Sequence, residues 1–311
     1  MKVLVTGGAG FIGSHIVDRL IEQSHEVVII DNLSTGKIEN IHDKAKMYQI
    51  DITSEEVKEV FAIEKPNFVI HHAAQIDVQK SLKDPMFDAQ INILGTINIL
   101  ENCKTFGVEK IVYASSAAVY GTPDYLGVDE KHTVDPLSFY GISKHTPEHY
   151  IKAYSYLYDL NYTILRYANV YGIRQDPKGE GGVISIFVDK LLNNQSPVIF
   201  GDGEQTRDFI YVSDIADANI AALSNGNNDI FNISCNKQTS VNELVGVMNK
   251  VADTNLEPIY KEARSGDIVH SYLDNNKAIE NLHWQPKFTL NEGLVETIKY
   301  YRILNDQLIL L

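Results

Sequence analysis

Runs of apolar, β-branched residues alternate with stretches of helical period through the first half of the chain. Lys2–Thr6 (KVLVT) and Glu26–Asp31 (EVVIID) are almost continuously apolar, the pattern of strands buried on both faces. Between them, Phe11–Ser24 sets Ile12, Ile16, Leu20 and Ile21 on one face, which predicts a helix. The same rhythm predicts strands at Met47–Asp51, Asn67–His71, Lys110–Ser115 and Asn161–Arg166, and helices at Glu55–Ile63, Pro85–Phe106 and Tyr140–Tyr158. Pro85 is tolerated in a first turn. Pro147 falls inside its helix, where it removes a backbone donor and is expected to kink it. Strand–helix alternation of this kind predicts an α/β fold, a doubly wound parallel sheet with helices on both faces.

Beyond about Asn169 the rhythm becomes irregular. Gly172–Gly182 and Gly201–Arg207 read as loops. Ser240-Val-Asn-Glu243 is a capping-box pattern that opens a helix through about Ala252. Leu290–Asn305 predicts a final amphipathic helix with Leu290, Leu294 and Ile298 in register. No repeat, low-complexity tract or flexible linker divides the chain. The expected organisation is a sheet domain over residues 1–168 and a smaller, mixed α/β region over 169–311 docked on it, with some segments of the second returning to the sheet of the first.

Composition narrows the classes. The 311 residues, 44% hydrophobic and 22% charged, fit about two globular domains at ~150 residues each. Acidic residues outnumber basic ones 41 to 27, a formal net charge of −14, which makes a poor partner for nucleic acid or an anionic membrane. Small anionic ligands stay open, because one local arginine binds a phosphate. Cys103 and Cys235 form neither a Cys-x-x-Cys nor a disulfide framework and read as reduced thiols. No apolar stretch approaches the ~20 residues that cross a bilayer, and glycines interrupt the opening MKVLVTGGAG before a signal-peptide core forms. A soluble, cytoplasmic protein is expected.

The first strand runs into Thr6-Gly7-Gly8-Ala9-Gly10-Phe11-Ile12-Gly13 and then a helix. Gly7 allows a tight turn, Gly10 lets the backbone approach a pyrophosphate, and Gly13 lets helix and strand pack closely. The helix amino end adds free N–H groups and a favourable dipole. Placed between a strand and a helix, this triplet predicts dinucleotide binding. Asp31 ends the second strand, where a carboxylate accepts from an adenosine ribose and repels a 2′-phosphate, favouring NAD over NADP. Asp51 ends the third predicted strand, either at an adenine edge or as a turn cap. His71 and His72 are adjacent on a strand and point to opposite faces, so they do not converge on a metal. No other His or Cys spacing suggests a metal site.

Tyr140-Gly141-Ile142-Ser143-Lys144 places a phenol and an ammonium on one helix face. An ordinary phenol titrates near pH ~10; a neighbouring ammonium favours the phenolate. Such a pair suits proton removal from a sugar hydroxyl. Ser116 follows the fifth strand, at the carboxyl end where open α/β sheets bind ligands. Alone, Tyr-x-x-x-Lys is a weak signal, and its meaning comes from the residues around it.

TGGAGFIGSH, DNLSTG, HHAA, SSAAVYG, YGISK and RYANVYG, in this order and spacing, resemble the extended short-chain dehydrogenase/reductases. The resemblance continues through FGDGEQTRDFIYVSDIADA (Phe200–Ala218), RSGDIVHS (Arg264–Ser271) and DNNKAIENLHWQP, so it covers nearly the whole chain. It implies a Rossmann-type NAD-binding domain followed by a UDP-sugar-binding region. The implied activity is NAD-dependent 4-epimerisation of a UDP-hexose through a 4-keto sugar. Gly7, Gly10, Phe11, Ile12, Gly13 and the run Asp31, Asn32, Leu33, Ser34, Thr35 and Gly36 would hold adenosine and pyrophosphate. Asp51 and Ile52 would flank adenine. Ala73, Ala74, Gln75, Asn92 and Tyr167 would line the rest of the cofactor. Tyr140 would be the base, Lys144 its modulator and a ligand of the nicotinamide ribose, and Ser116 a donor to the reacting oxygen.

For the substrate, the resemblance implies Asn169 at the diphosphate and Val183, Val198 and Phe200 around the uridine. Arg207 and Arg264 would hold the phosphates and Asp267 the uridine ribose. Ser271, small at a position beside the sugar 2-substituent, would leave room for an N-acetyl group, so UDP-GlcNAc and UDP-GalNAc join UDP-glucose and UDP-galactose as expected substrates. Related 4,6-dehydratases carry an Asp-Glu pair where this chain has Ala117 and Ala118, which argues against dehydration. Ile173 stands where relatives often have proline. The helices Pro85–Phe106 and Tyr140–Tyr158 match those that pair two copies into a homodimer. The alternatives left open are a UDP-uronate or UDP-pentose epimerase and a non-catalytic NAD-binding sensor, which would not need Ser116, Tyr140 and Lys144 together.

Overall fold

A computed structural model describes residues 1–177, 182–263 and 268–309. The first half alternates β1 (Lys2–Thr6), α1 (Phe11–Glu22), β2 (Glu26–Asp31), β3 (Lys46–Gln49), α2 (Val57–Glu64) and β4 (Phe68–His71). Then come α3 (Val78–Lys83), α4 (Pro85–Ala89), α5 (Thr96–Phe106), β5 (Lys110–Ser116), α6 (Phe139–Tyr158) and β6 (Asn161–Tyr167). Successive residues of β1 show why its strands are apolar throughout. Val3 and Val5 face one core with Ile16, Val17 and Leu20 of α1. Leu4 faces the other, with Phe61 of α2 and Ile99, Leu100 and Cys103 of α5. A strand with a core on each side has no position for a solvated side chain.

The second half supplies β7 (Asn169–Tyr171), α7 (Val183–Leu192), β8 (Val198–Phe200), β9 (Thr206–Arg207), β10 (Phe209–Tyr211) and α8 (Val212–Ser224). It continues with β11 (Asp229–Ile233), β12 (Thr239–Ser240), α9 (Val241–Ala252), β13 (Ile259–Lys261), α10 (Asn276–Leu282) and α11 (Leu290–Ile309). The central sheet has seven parallel strands in the order β11-β6-β5-β4-β1-β2-β3. Its last strand therefore returns from the second half, pairing Asp229 with Thr163 through Ile233 with Tyr167. Ile215, Ala218 and Ala222 of α8 join the core that α1 lines. A separate core gathers α7, α9 and α11 around Phe187, Leu244, Met248, Leu294 and Ile298. Three two-stranded sheets, β7 with β10, β8 with β13 and β9 with β12, lie beside it.

Several elements depart from the sequence reading. The helix expected over Pro85–Phe106 carries a π-helical segment at Gln90–Gly95, in the same run of helical backbone. There the Asn92 amide is held on both sides. Its Oδ1 accepts from Gln75 N at 2.7 Å, and its Nδ2 donates to Gln75 O at 2.9 Å and Ser143 Oγ at 2.8 Å. Asp51 lies two positions past β3 rather than ending it, because its carboxylate closes its own turn onto Thr53 N at 2.8 Å and Thr53 Oγ1 at 2.6 Å. Thr206–Arg207, expected in a loop, pairs with Thr239–Ser240 as a short antiparallel ladder. α6 continues through the buried Pro147 to Tyr158, so the proline interrupts one ladder bond without ending the helix.

Beneath the carboxyl ends of β5 and β6 lies a buried ion pair. Arg166 Nε donates to Glu148 Oε1 at 3.0 Å and Arg166 Nη2 to Oε2 at 2.6 Å. Ser115 Oγ donates to Oε1 at 2.7 Å, and the guanidinium lies over the Tyr120 ring at 4.8 Å. Glu148 is 1% exposed and Arg166 3%. Removing one member leaves a buried charge unpaired, so Glu148→Ala is expected to destabilise the protein by ~3–5 kcal/mol. Chemical denaturation measures the loss, and the apolar pair Glu148→Leu with Arg166→Met is expected to recover part of it.

Candidate active site

The carboxyl ends of the parallel strands open onto two hollows. The first is a groove lined by Gly7, Gly10, Phe11, Ile12, Gly13, Asp31, Asn32, Ser34, Thr35, Asp51, Ile52, Ala73 and Ala74, with Ile50, His72, Ile76 and Ile91 completing its walls. Its glycines are required by space. Gly7 has φ +71°, and a Cβ there would lie 2.7 Å from Ala73 N; a Cβ on Gly13 would lie 2.1 Å from Gly7 O. The glycine turn is held by Asp31, whose Oδ2 accepts from Ala9 N at 3.0 Å and Oδ1 from Leu33 N at 2.8 Å. Burial raises the Asp31 pKa, and the two N–H donors oppose it. Gly36 packs on that carboxylate, with room for no Cβ. Asn32 Nδ2 donates to Asp51 Oδ2 at 2.7 Å, joining two of the sequence candidates at one end of the groove.

Gln75, Asn92 and Lys144 do not line this groove. They form a buried layer beneath it. Lys144 is 5% exposed, with its Nζ 4.7 Å from the centre of the Tyr113 ring. Burial pushes its pKa down to about 8, against the pull of Glu148 and Asp88. His71 and His72 diverge as expected for neighbours on a strand. His71 lies between Thr6 Oγ1 at 2.6 Å and Thr96 Oγ1 at 2.9 Å. His72 turns the other way, 3.0 Å from Tyr167 Oη, with its ring stacked on that of Tyr167. Burial lowers both histidines to about 3, so both are neutral at pH 7.

The second hollow is a cleft where Ser116, Tyr140, Tyr167, Asn169, Arg207 and Ser271 meet. Ser138 caps α6 by accepting from Gly141 N at 3.1 Å, and Tyr140 N donates to Ser81 Oγ at 3.1 Å, which sets Tyr140 at the mouth of its helix. Ser116 Oγ accepts from Ala118 N at 3.2 Å, leaving its hydroxyl hydrogen for a ligand oxygen. Arg207 Nη1 donates to Thr206 O at 2.8 Å, which fixes the guanidinium in the cleft wall. Ser271 faces the cleft, whereas its neighbour Tyr272 has its hydroxyl against Gly127. Asn169 also opens onto an adjoining pocket with Val183. Val198 and Phe200 lie on β8, outside the walls of these hollows. Arg264 and Asp267 lie outside the described residues.

Val78, Gln79, Leu82 and Leu137 also line the cleft and escaped the sequence reading. α3, which carries three of them, spans six residues, too few for a helical period to stand out. Its one local signal is Asp77, which caps it by accepting from Gln79 N and Lys80 N. Asp88 was missed because burial gives a carboxylate no sequence signature.

The model of the family described as "NAD dependent epimerase/dehydratase family" matches residues 3–234. A putative UDP-glucose 4-epimerase of Methanocaldococcus jannaschii is 53% identical over 96% of this chain and 98% of its own. The crystal structure of UDP-glucose 4-epimerase from Thermotoga maritima, with UDP-glucose, superposes with a TM-score of 0.96 at 44% identity. It covers 98% of this chain and 100% of that one. A UDP-N-acetylglucosamine 4-epimerase from Methanobrevibacter ruminantium, in complex with UDP-N-acetylmuramic acid, gives 0.93 at 36% identity, over 97% and 98% of the two chains.

The geometry of the glycine turn makes one expectation direct. Gly13→Ala places a methyl group against the Gly7 carbonyl and is expected to abolish copurification of a dinucleotide, read from the ultraviolet spectrum of the purified protein. Retention of a full complement would remove the turn from that role.

Proposed function

The chain belongs to the NAD dependent epimerase/dehydratase family, and from that premise we propose that it is an isomerase interconverting UDP-hexoses at C4, UDP-glucose with UDP-galactose. The observation that carries the reading is the meeting of Ser116, Tyr140, Asn169 and Arg207 in one cleft, with the buried Lys144 one helical turn from Tyr140. The groove fits NAD. Gly7 and Gly13 leave room that a side chain would fill, and Asp31 presents a carboxylate at the end of β2. NAD bound there supplies reversible hydride transfer.

The protein's own part is orientation and proton movement. Arg207 holds the diphosphate by charge. Ser116 donates to the C4 oxygen. Tyr140 takes the proton of the C4 hydroxyl as the 4-keto sugar forms and returns it to the epimeric oxygen. The ammonium of Lys144 favours the phenolate that this requires. Ala117 and Ala118 line the cleft, so elimination of water finds no acid there. Val78, Leu82, Ala117, Ala118 and Leu137 make much of the cleft wall apolar, beside the uncharged Gln79 and Ser138, which favours a neutral hexose over a uronate. The small Ser271 beside them supports UDP-GlcNAc and UDP-GalNAc as further substrates.

We also propose that the working form is a homodimer. Phe139, Ile142, Tyr150 and Leu157 are exposed along one side of α6, and Met86 and Leu94 are exposed on the helical run that packs against it. An apolar stripe shared by two neighbouring helices is suited to meeting its own copy.

Incubation with UDP-galactose, with nucleotide sugars resolved by chromatography, is expected to yield UDP-glucose. Tyr140→Phe is expected to lower kcat by ~10²–10⁴-fold; a wild-type rate in that variant would take the proton transfer away from Tyr140. Ser271→Tyr is expected to reduce turnover of UDP-GalNAc at least about tenfold while sparing UDP-galactose, and an equal loss on both would refute the gate.

A further inference from the structure

Asp88 has no place in the reaction as described, yet it is a carboxylate 1% exposed to solvent. One of its oxygens is committed. Oδ1 accepts from Gln75 Nε2 at 2.7 Å and from Asn92 Nδ2 at 3.3 Å. The other, Oδ2, is buried with no hydrogen-bond partner. A buried carboxylate oxygen left without a donor is costly and rare in native proteins, so its presence calls for a physical explanation.

The surroundings supply one. α4 packs against α6, and Asn92, which holds Asp88, also donates to Ser143, the neighbour of Lys144. Asp88 lies on α4, which packs on the helix of Lys144, and its charge pulls the Lys144 pKa upward against the burial that lowers it. The other groups facing Lys144 are spoken for or uncharged. Glu148, on its own helix, gives both oxygens to Arg166 of β6. His71 at the end of β4 and His72 just beyond it are held neutral by burial. From β5, Tyr113 presents its ring face, and its hydroxyl donates to Lys144 O at 3.2 Å. Tyr140 is the group the ammonium serves. Glu148 and Asp88 both pull the Lys144 pKa upward, and of these two Asp88 is the one that no guanidinium neutralises.

Resting on the epimerase reading, we propose that Asp88 is a positioning residue for the reaction: a fixed counter-charge that keeps Lys144 protonated beside Tyr140. The Gln75 and Asn92 amides hold its inner oxygen and leave the outer one without a donor. The π-helical turn at Gln90–Gly95 gives this arrangement its shape, because it turns Asn92 toward Gln75 and Ser143 at once.

The test is Asp88→Asn, which retains an Oδ1 for Gln75 and Asn92 and removes only the charge. With the protein as purified, the side-chain nitrogen of Lys144 is followed by NMR across the pH range and assigned by its disappearance in Lys144→Met. The Lys144 titration is expected to fall by about one pH unit in Asp88→Asn, with Asp88→Glu near wild type. The alkaline limb of kcat/KM for UDP-galactose is expected to move to lower pH by a similar amount, because the ammonium is lost earlier as pH rises. An unchanged Lys144 titration in Asp88→Asn overturns the proposal. If the wild type does not epimerise UDP-galactose, the epimerase reading falls, and the NMR titration still decides whether Asp88 charges Lys144. Should Asp88→Asn fail to fold, Asp88→Ser removes the same charge with less bulk and is judged by the same shift.

Discussion

Glu148 and Arg166 meet where α6 crosses the ends of β5 and β6, and both chemical residues of α6 stand on what that meeting fixes. β5 ends in Ser115 and Ser116, and Ser115 is tied to Glu148. The helix that carries Glu148 also carries Tyr140 and Lys144, two turns and one turn earlier respectively. A bidentate guanidinium–carboxylate pair has little angular freedom, so strand end and helix are held in one register. An apolar replacement would pack as tightly, and in general such replacements are neutral or stabilising. What it would lose is direction. In the proposed reaction Ser116 and Tyr140 must reach the same oxygen, and a directional pair joining that strand end to that helix constrains this better than methyl groups do.

The same burial that makes the pair rigid sets the charge state of everything around it. His71 and His72 are desolvated to neutrality, so neither competes with Lys144 as the local cation. His71 meets Thr6 and Thr96 through its two ring nitrogens, and Nε2 of His72 meets Tyr167 and Asn219. Lys144 is the exception, a basic group kept where its charge is disfavoured. In water its ammonium would be screened. Here a low effective dielectric magnifies its effect on the neighbouring phenol. The penalty of burying the lysine and its usefulness to Tyr140 have the same cause.

Legibility followed the physics of each feature. The parallel sheet showed in the sequence because a strand with a core on both faces must be apolar at every position, as Val3, Leu4 and Val5 are. The glycine turn showed because Gly7 and Gly13 have no room for a Cβ. Lys144 and Tyr140 stood out through the motifs around them, since their spacing on one helix is a weak signal alone. The seventh strand was harder. Asp229–Ile233 is an edge strand, partly buried at its start, and its partner β6 lies far back in the chain, so no local pattern announces the pairing. The π-helical turn was invisible for a different reason: it depends on where the Asn92 amide finds partners, at Gln75 and Ser143. Arg207 sits on a strand rather than a loop because its ladder partner, Thr239–Ser240, is remote in sequence. Asp51, read as the end of a strand, bonds to its own turn, a short-range preference of aspartate.

The proposed reaction places opposed demands on one cleft: the diphosphate must stay fixed while the hexose turns over. The two ends are built accordingly. At the anchor, Arg207 lies on a strand whose next residue, Asp208, is a buried carboxylate accepting from Cys235 N at 2.9 Å, Lys237 N at 3.4 Å and Leu273 N at 3.5 Å. Burial raises Asp208 to about 6 while those N–H donors hold it down, and it gathers two separate segments of chain behind the arginine. One of them is the stretch that carries Ser271. At the sugar end the walls are Val78, Leu82, Ala117, Ala118 and Leu137. Apart from Gln79 and Ser138, these walls offer volume without directional bonds, which leaves a hydroxyl-bearing ring room to turn. The polar groups that must act on the ring, Ser116 and Tyr140, are gathered at one side, where either face of a 4-keto sugar brings its oxygen on turning. An anchor with many fixed bonds and a chamber with few is the distribution of polarity that lets the substrate rotate without leaving.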